Sequence, residues 1–188
     1  MDAFETLIAE MLWLEGYWVR TSYKVNLTKE DKKRIGRPSS PRWELDVIAF
    51  NGKTRTLKVV ECKSFFDSSG VKFCSLDRGN GANRYKLFND ATLREVVLER
   101  LRSEMERYCG SRLNIRLCLA CGKVASERDR ENLRSHFERN GWELFDKAWM
   151  QEKLLEMSNG GYENQAWAIV SKILLRDMPA TSINQEMM

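Results

Sequence analysis

The chain has 188 residues, 43% hydrophobic and 31% charged, which predicts a soluble globular domain with a full core, and its net charge of +4 agrees with a polyanionic partner. No apolar run reaches membrane-spanning length and the N-terminus lacks a basic-then-apolar leader, so the expected location is the cytoplasm. Five cysteines argue against a disulfide framework, and the single His136 excludes sites built from several histidines and leaves no ground for a Ser-His-Asp hydrolase.

Phe4, Leu7, Ile8, Met11 and Leu12 recur at helical spacing up to Glu15-Gly16. Asp2 and Glu5 match a capping box at its start. A strand over residues 17–25 follows. Residues 26–42 then form a flexible loop rich in Gly, Pro and Ser that carries Lys29, Lys32, Lys33, Arg34, Arg37 and Arg42 against Glu30 and Asp31. Six cations delivered ahead of the next strand suit a phosphate backbone, or else form a solvated face.

Residues 43–50 and 57–63 predict a hairpin, because β-branched and aromatic residues flank Asn51-Gly52. Alternation points Glu61 and Lys63 to one face and Cys62 to the other. A two-residue turn sets Asp46 opposite Leu57 and a six-residue loop sets it opposite Glu61; Leu57 and Glu61 share a face, so Asp46 joins the cluster either way. Two carboxylates and an ammonium among Val47, Ile48, Val59 and Val60 suit a hard cation such as Mg²⁺, with the lysine beside the attacking water. A solvated salt bridge on an edge hairpin is the plainer alternative.

These residues resemble the PD-(D/E)xK nucleases: Asp46, fourteen intervening residues, then Glu61-Cys62-Lys63 in the setting ELDVIAFNGK…LKVVECK. The likeness is greatest to the Holliday-junction-resolvase-like branch. Leu45 stands where the motif's name has proline. The resemblance implies a restriction-endonuclease-like α/β fold, an αβββαβ core with a mixed central sheet. It implies Mg²⁺ or Mn²⁺ held by Asp46, Glu61 and the backbone carbonyl of Cys62, with Lys63 acting on the water. It also implies a Glu on the first helix, eleven residues before a Gly; that residue is Glu5, with Glu10 as substitute.

After Lys63, residues 64–90 predict a long connection without regular structure, functional or mobile. Its Arg78, Arg84 and Lys86, with Tyr85 and several glycines, can follow a sugar-phosphate chain. Asn89 or Asp90 caps a helix with Leu93, Val96, Val97, Leu101, Met105 and Tyr108 in one stripe. A strand over 113–120 follows, in which Cys118 and Cys121 point to opposite faces and so disfavour zinc. A helix over 126–140, a strand over 142–145 and helices near 147–157 and 162–176 complete the order α-β-β-β-α-β-α-β-α-α. The expected domain is residues 1–176, with the nuclease-like core over 3–120, accessory structure over 121–176 and a disordered tail over 177–188.

The expected function is metal-dependent hydrolysis of DNA in repair, recombination or defence against foreign DNA, by a homodimer or a subunit of a larger complex. A non-catalytic nucleic-acid-binding or assembly subunit of the same fold is the alternative, and an RNA-cleaving enzyme shares every residue named.

Overall fold

A computed structural model describes residues 2–39, 42–77, 81–110, 112–161 and 164–176. Strands β1 (Trp18–Val25), β2 (Trp43–Asn51) and β3 (Thr56–Lys63) form an antiparallel meander. Strands β4 (Asn114–Cys121) and β5 (Glu143–Phe145) join it in parallel, giving a five-stranded mixed sheet in sequence order. The chain is therefore an α/β protein. The arrangement of 43–50, 57–63 and 113–120 in one sheet is as expected from the sequence.

Helices cover both faces of the sheet. On one, α1 (Ala3–Leu14), α7 (Lys147–Asn159) and α8 (Ala166–Leu175) bury Ile8, Met11, Met150 and Ala168 against Val47, Ala49, Val60, Cys118 and Ala120. On the other, α5 (Ala91–Cys109) and α6 (Glu127–Arg139) bury Leu93, Val97, Leu101, Leu133 and Phe137 against Ile48, Leu57, Val59, Leu117 and Leu119. Each such large apolar side chain contributes about 2 kcal/mol on burial. Cys118 and Cys121 fall in the two different clusters, as alternation requires.

The hairpin turn decides the register. Asn51 Oδ1 accepts from the N–H groups of Lys53 at 3.0 Å and Thr54 at 3.2 Å, closing a four-residue loop between the Asn51–Thr56 pair. Phe50 then pairs Leu57 and Val47 pairs Val60, the register of the longer-loop alternative. One step further along, that register would set Asp46 opposite Glu61, but the ladder ends at Val47–Val60.

Two sequence expectations are corrected. Residues 26–42 are not all loop: Thr28 caps a short helix, α2 (Lys29–Arg34), tied to α5 through Asp31–Arg100 at 2.7 Å and Arg34 to Glu95 and Glu99 at 2.6 and 3.1 Å. Residues 64–90 carry α3 (Phe73–Asp77), a 3₁₀ turn (Ala82–Tyr85) and α4 (Lys86–Asn89). Asn89 does not cap α5; its amide donates to Leu76 O and Ala82 O, binding these pieces together, and Asp90 is the cap. Tyr108 is in the α5 stripe but 83% exposed, because an open cavity shared with Trp18, Phe50 and Leu57 takes the place of packed core at this end of the helix. The expected tail, 177–188, lies outside the described residues. Among those described, no helix is long and apolar enough to cross a membrane.

Trp142 and Trp149 are held by rings: Trp142 meets Phe88, Phe137 and His136, and Trp149 stacks on Phe145 at 4.2 Å. His136 also meets Phe73 edge-on, a half-buried position at the boundary of the core.

Candidate metal and phosphate site

The site forms where the sheet stops alternating. Along β1 and β2 the ladder runs from Thr21–Val47 to Tyr23–Leu45, skipping Ser22 and Asp46. Ser22 has φ of +50°, which turns the chain about its axis. Odd-numbered residues accordingly change sides: Val19, Val47 and Ala49 face α1, whereas Tyr23, Leu45 and Trp43 join the core under α5. Asp46 sits at this switch. Parity alone therefore does not assign it a face, and its carboxylate reaches groups on both sides.

β3 parts from β2 here but stays paired with β4 as far as Lys63–Cys121. A buried N–H without a ladder partner costs free energy comparable to a lost hydrogen bond. Asp46 meets that need: the Cys62 N–H donates to its Oδ2 at 2.7 Å. Lys63 folds back on the same group of atoms. Its ammonium lies 2.7 Å from Glu61 Oε1, 3.1 Å from the Cys62 carbonyl and 3.9 Å from Asp46 Oδ2. All three charged side chains are half-buried, with 17–23% of their surface exposed.

Burial pushes the Glu61 carboxyl upward, Lys63 pulls it back, and the charges of Asp46 and Glu5 raise it again, leaving it above the usual carboxylate range. Burial also raises Glu5, and Asp46 adds to this. Burial drives the Cys62 thiol up, so this cysteine is an inert core group.

Glu5 serves the capping box: its N–H donates to Asp2 Oδ1 at 2.8 Å and its Oε2 accepts from the Asp2 N–H at 3.3 Å. It stands within electrostatic range of both Asp46 and Glu61. Glu10 takes another place, where burial raises its carboxyl and the Trp167 main chain on α8 only partly offsets the rise.

The three oxygens that meet Lys63 are the donor set a hard divalent cation uses, carboxylates and a carbonyl with water in its remaining positions. Here a lysine ammonium stands in as the cation on which they converge, so these residues fit such an ion. Among the described residues, no three His, Cys, Asp or Glu side chains are gathered to hold a metal without a main-chain oxygen, which leaves Glu5 outside the immediate set.

The expected phosphate contacts are dispersed. Lys29, Lys33 and Arg42 are exposed and Lys32 is half-buried. Arg34, one of the expected phosphate contacts, is engaged by Glu95 and Glu99 in this structure. Arg37 lies over the Trp43 ring at 5.4 Å and Arg84 over Phe65 at 5.8 Å, two residues from Lys63. Lys86 opens α4, half-buried. Arg78 lies outside the described residues.

Tyr85, expected from the sequence to follow a sugar-phosphate chain, is instead buried at 2% exposure, and burial foremost pushes its phenol up to about 12, with Glu61 adding to the rise. Gly122 escapes the sequence reading. It donates its N–H to the Lys63 carbonyl at 3.0 Å, and a Cβ there would fall 2.4 Å from Ser64 O and 2.5 Å from the Phe66 ring. A glycine directly after a buried strand is the available signal. A larger cavity of about 490 Å³, lined by Trp18, Arg20, Tyr23, Met105 and Tyr108, lies elsewhere. Its Leu57 wall is four residues from Glu61, about 13 Å along β3.

Comparison with protein-family models finds no match, and comparisons with curated proteins and with solved structures find none either.

Gly122→Ala should therefore destabilise the fold by about 1–3 kcal/mol, read by chemical denaturation, because main chain must move to admit the methyl. Unchanged stability would show that residues 64–66 yield freely.

Proposed function

We propose that this chain is a divalent-metal-dependent nuclease that hydrolyses phosphodiester bonds of DNA, with a restriction-endonuclease-like core over residues 3–120. One observation carries this reading: Asp46, Glu61 and the Cys62 carbonyl converge on a single positive charge, at the end of a hairpin where β2 and β3 part. A structural salt bridge needs one carboxylate. Two carboxylates and a main-chain carbonyl directed at one point suit a divalent ion better.

Asp46, Glu61 and the Cys62 carbonyl would hold Mg²⁺ or Mn²⁺, which when bound supplies Lewis acidity and lowers the pKa of water. Lys63 brings an ammonium to the same point, where it orients water and counters the charge that builds on the phosphate. Asp46 also fixes the Cys62 peptide, and so aims the carbonyl that follows it. Glu5 is a positioning residue: it holds the first turn of α1 and adds negative charge without entering the immediate oxygen set. Arg84, resting on Phe65 two residues from Lys63, and Arg37, resting on Trp43 three residues before Asp46, offer cations to the phosphates on either side.

A second reading is favoured by the same ion pair. Lys63 neutralises Glu61 as the site stands, which suits a subunit that binds nucleic acid without cutting it.

Incubation of plasmid, linear duplex, branched DNA and RNA with and without Mg²⁺ separates these readings, and DNA should be cut only with metal. Lys63→Ala should lower cleavage by about two to three orders of magnitude while DNA binding persists. Asp46→Ala should lose both cleavage and metal affinity, each variant being shown folded first. Wild-type protein that cuts nothing with metal, or Lys63→Ala that cuts at the wild-type rate, decides for the binding subunit.

Salt dependence locates the backbone contacts. Replacing Lys32 and Lys33 by Gln should flatten the slope of log K against log salt by up to about two, because each lost phosphate contact removes close to one counterion. Arg34→Gln should leave that slope nearly unchanged, since Glu95 and Glu99 already hold the guanidinium. An equal flattening would show that Arg34 exchanges its carboxylates for phosphate.

A further inference from the structure

Phe66 lies three residues after Lys63 and is 55% exposed, yet its ring is held. It meets Phe4 edge-on at 5.8 Å and 84°, and it presses on Gly122 closely enough to exclude a Cβ. Phe65 before it takes φ of +48°, a conformation that costs a bulky residue strain. That turn sends neighbouring rings to opposite sides: Phe65 packs into the core under α5, beneath Arg84, and Phe66 lies against α1. A core role would bury the second ring, and mere surface placement would not need its immobilisation by two elements.

Beside the ring is a cavity of about 300 Å³, walled by Phe66, Phe4, Leu7 and Trp167 and floored near Ser64 and Ala3. Asp2, the remaining lining residue, caps α1. This volume is at the lower end of small-ligand sites, with walls that are mostly aromatic and aliphatic. It is continuous with the candidate site through the chain itself, since Ser64 follows Lys63 and Phe4 precedes Glu5. Lys63 immediately precedes the lining Ser64, and Arg84 lies over Phe65 on the other side of the chain.

We propose that this cavity is a nucleobase subsite, in which one unstacked base of the bound DNA strand lies on Phe66 between Phe4 and Trp167. An exposed, immobilised ring stacks on a base with little ordering cost, and every base has a π-face to offer. The subsite rests on the proposed nuclease reading for the phosphate at Lys63; the stacking itself requires no cleavage.

The test is equilibrium binding of fluorescein-labelled single-stranded DNA by the full chain in EDTA, with one abasic site moved along the oligonucleotide. Wild-type protein should lose about tenfold or more in affinity at one position. Phe66→Ala should bind every oligonucleotide with that weaker affinity and show no further loss at that position. Phe66→Trp should restore the dependence, and Phe66→Leu, which keeps the apolar contact with Phe4, should not. An abasic penalty of the same size in Phe66→Ala as in wild type, or a penalty seen with RNA and absent with DNA, overturns the subsite. Absence of metal-dependent cleavage sinks the nuclease reading alone, and leaves the abasic result to decide the subsite.

Discussion

The hydrogen bond from the Cys62 N–H to Asp46 Oδ2, 2.7 Å long, joins the fold of this protein to its candidate chemistry. It forms because β2 and β3 separate while β3 remains laddered to β4, so one inner-strand amide must be satisfied by a side chain. Ser22 and Asp46 interrupt the β1–β2 ladder at the same level, and the two strands exchange faces there. A carboxylate placed at such an exchange reaches Glu5 on the α1 side and Lys63 beyond the end of the hairpin. No regular strand position would give it both.

The charges at that point explain one another. Two half-buried carboxylates repel and pay desolvation, with Glu5 adding a third negative charge at longer range. Lys63 offsets this with contacts to both carboxylates and to the Cys62 carbonyl. A cluster with more acid than base carries uncompensated negative charge in a way that an isolated salt bridge does not. Gly122 and the Phe65–Phe66 turn hold the chain leaving this cluster, so the ammonium is carried by a backbone fixed on both sides.

Much of this was legible in the residues. The alternation around Asn51-Gly52, the helical stripe from Phe4 to Leu12 and the capping pattern at Asp2 and Glu5 each depend on local periodicity, and the elements they indicate are present. Register was open because Asn51 could close the turn in more than one way, and its bonds to Lys53 and Thr54 selected the four-residue loop. The face switch at Asp46 was invisible, since neither Ser22 nor Asp46 is a residue that announces a left-handed turn. The α2 segment looked like a loop because its stability comes from Arg100, Glu95 and Glu99, sixty to seventy residues away along the chain. Tyr108 had the right spacing for burial, but a cavity opens between it and the sheet where packed core would have covered it.

The central claim is that Asp46, Glu61 and the Cys62 carbonyl form a site for a divalent ion. Titration of the full chain with Mn²⁺, followed by the loss of the free-ion signal in electron paramagnetic resonance, tests it without reference to any substrate. Saturable binding by wild-type protein that disappears in Asp46→Asn and in Glu61→Gln, both still folded, is the predicted result. Binding of equal strength in all three proteins, or none in wild type, would contradict it.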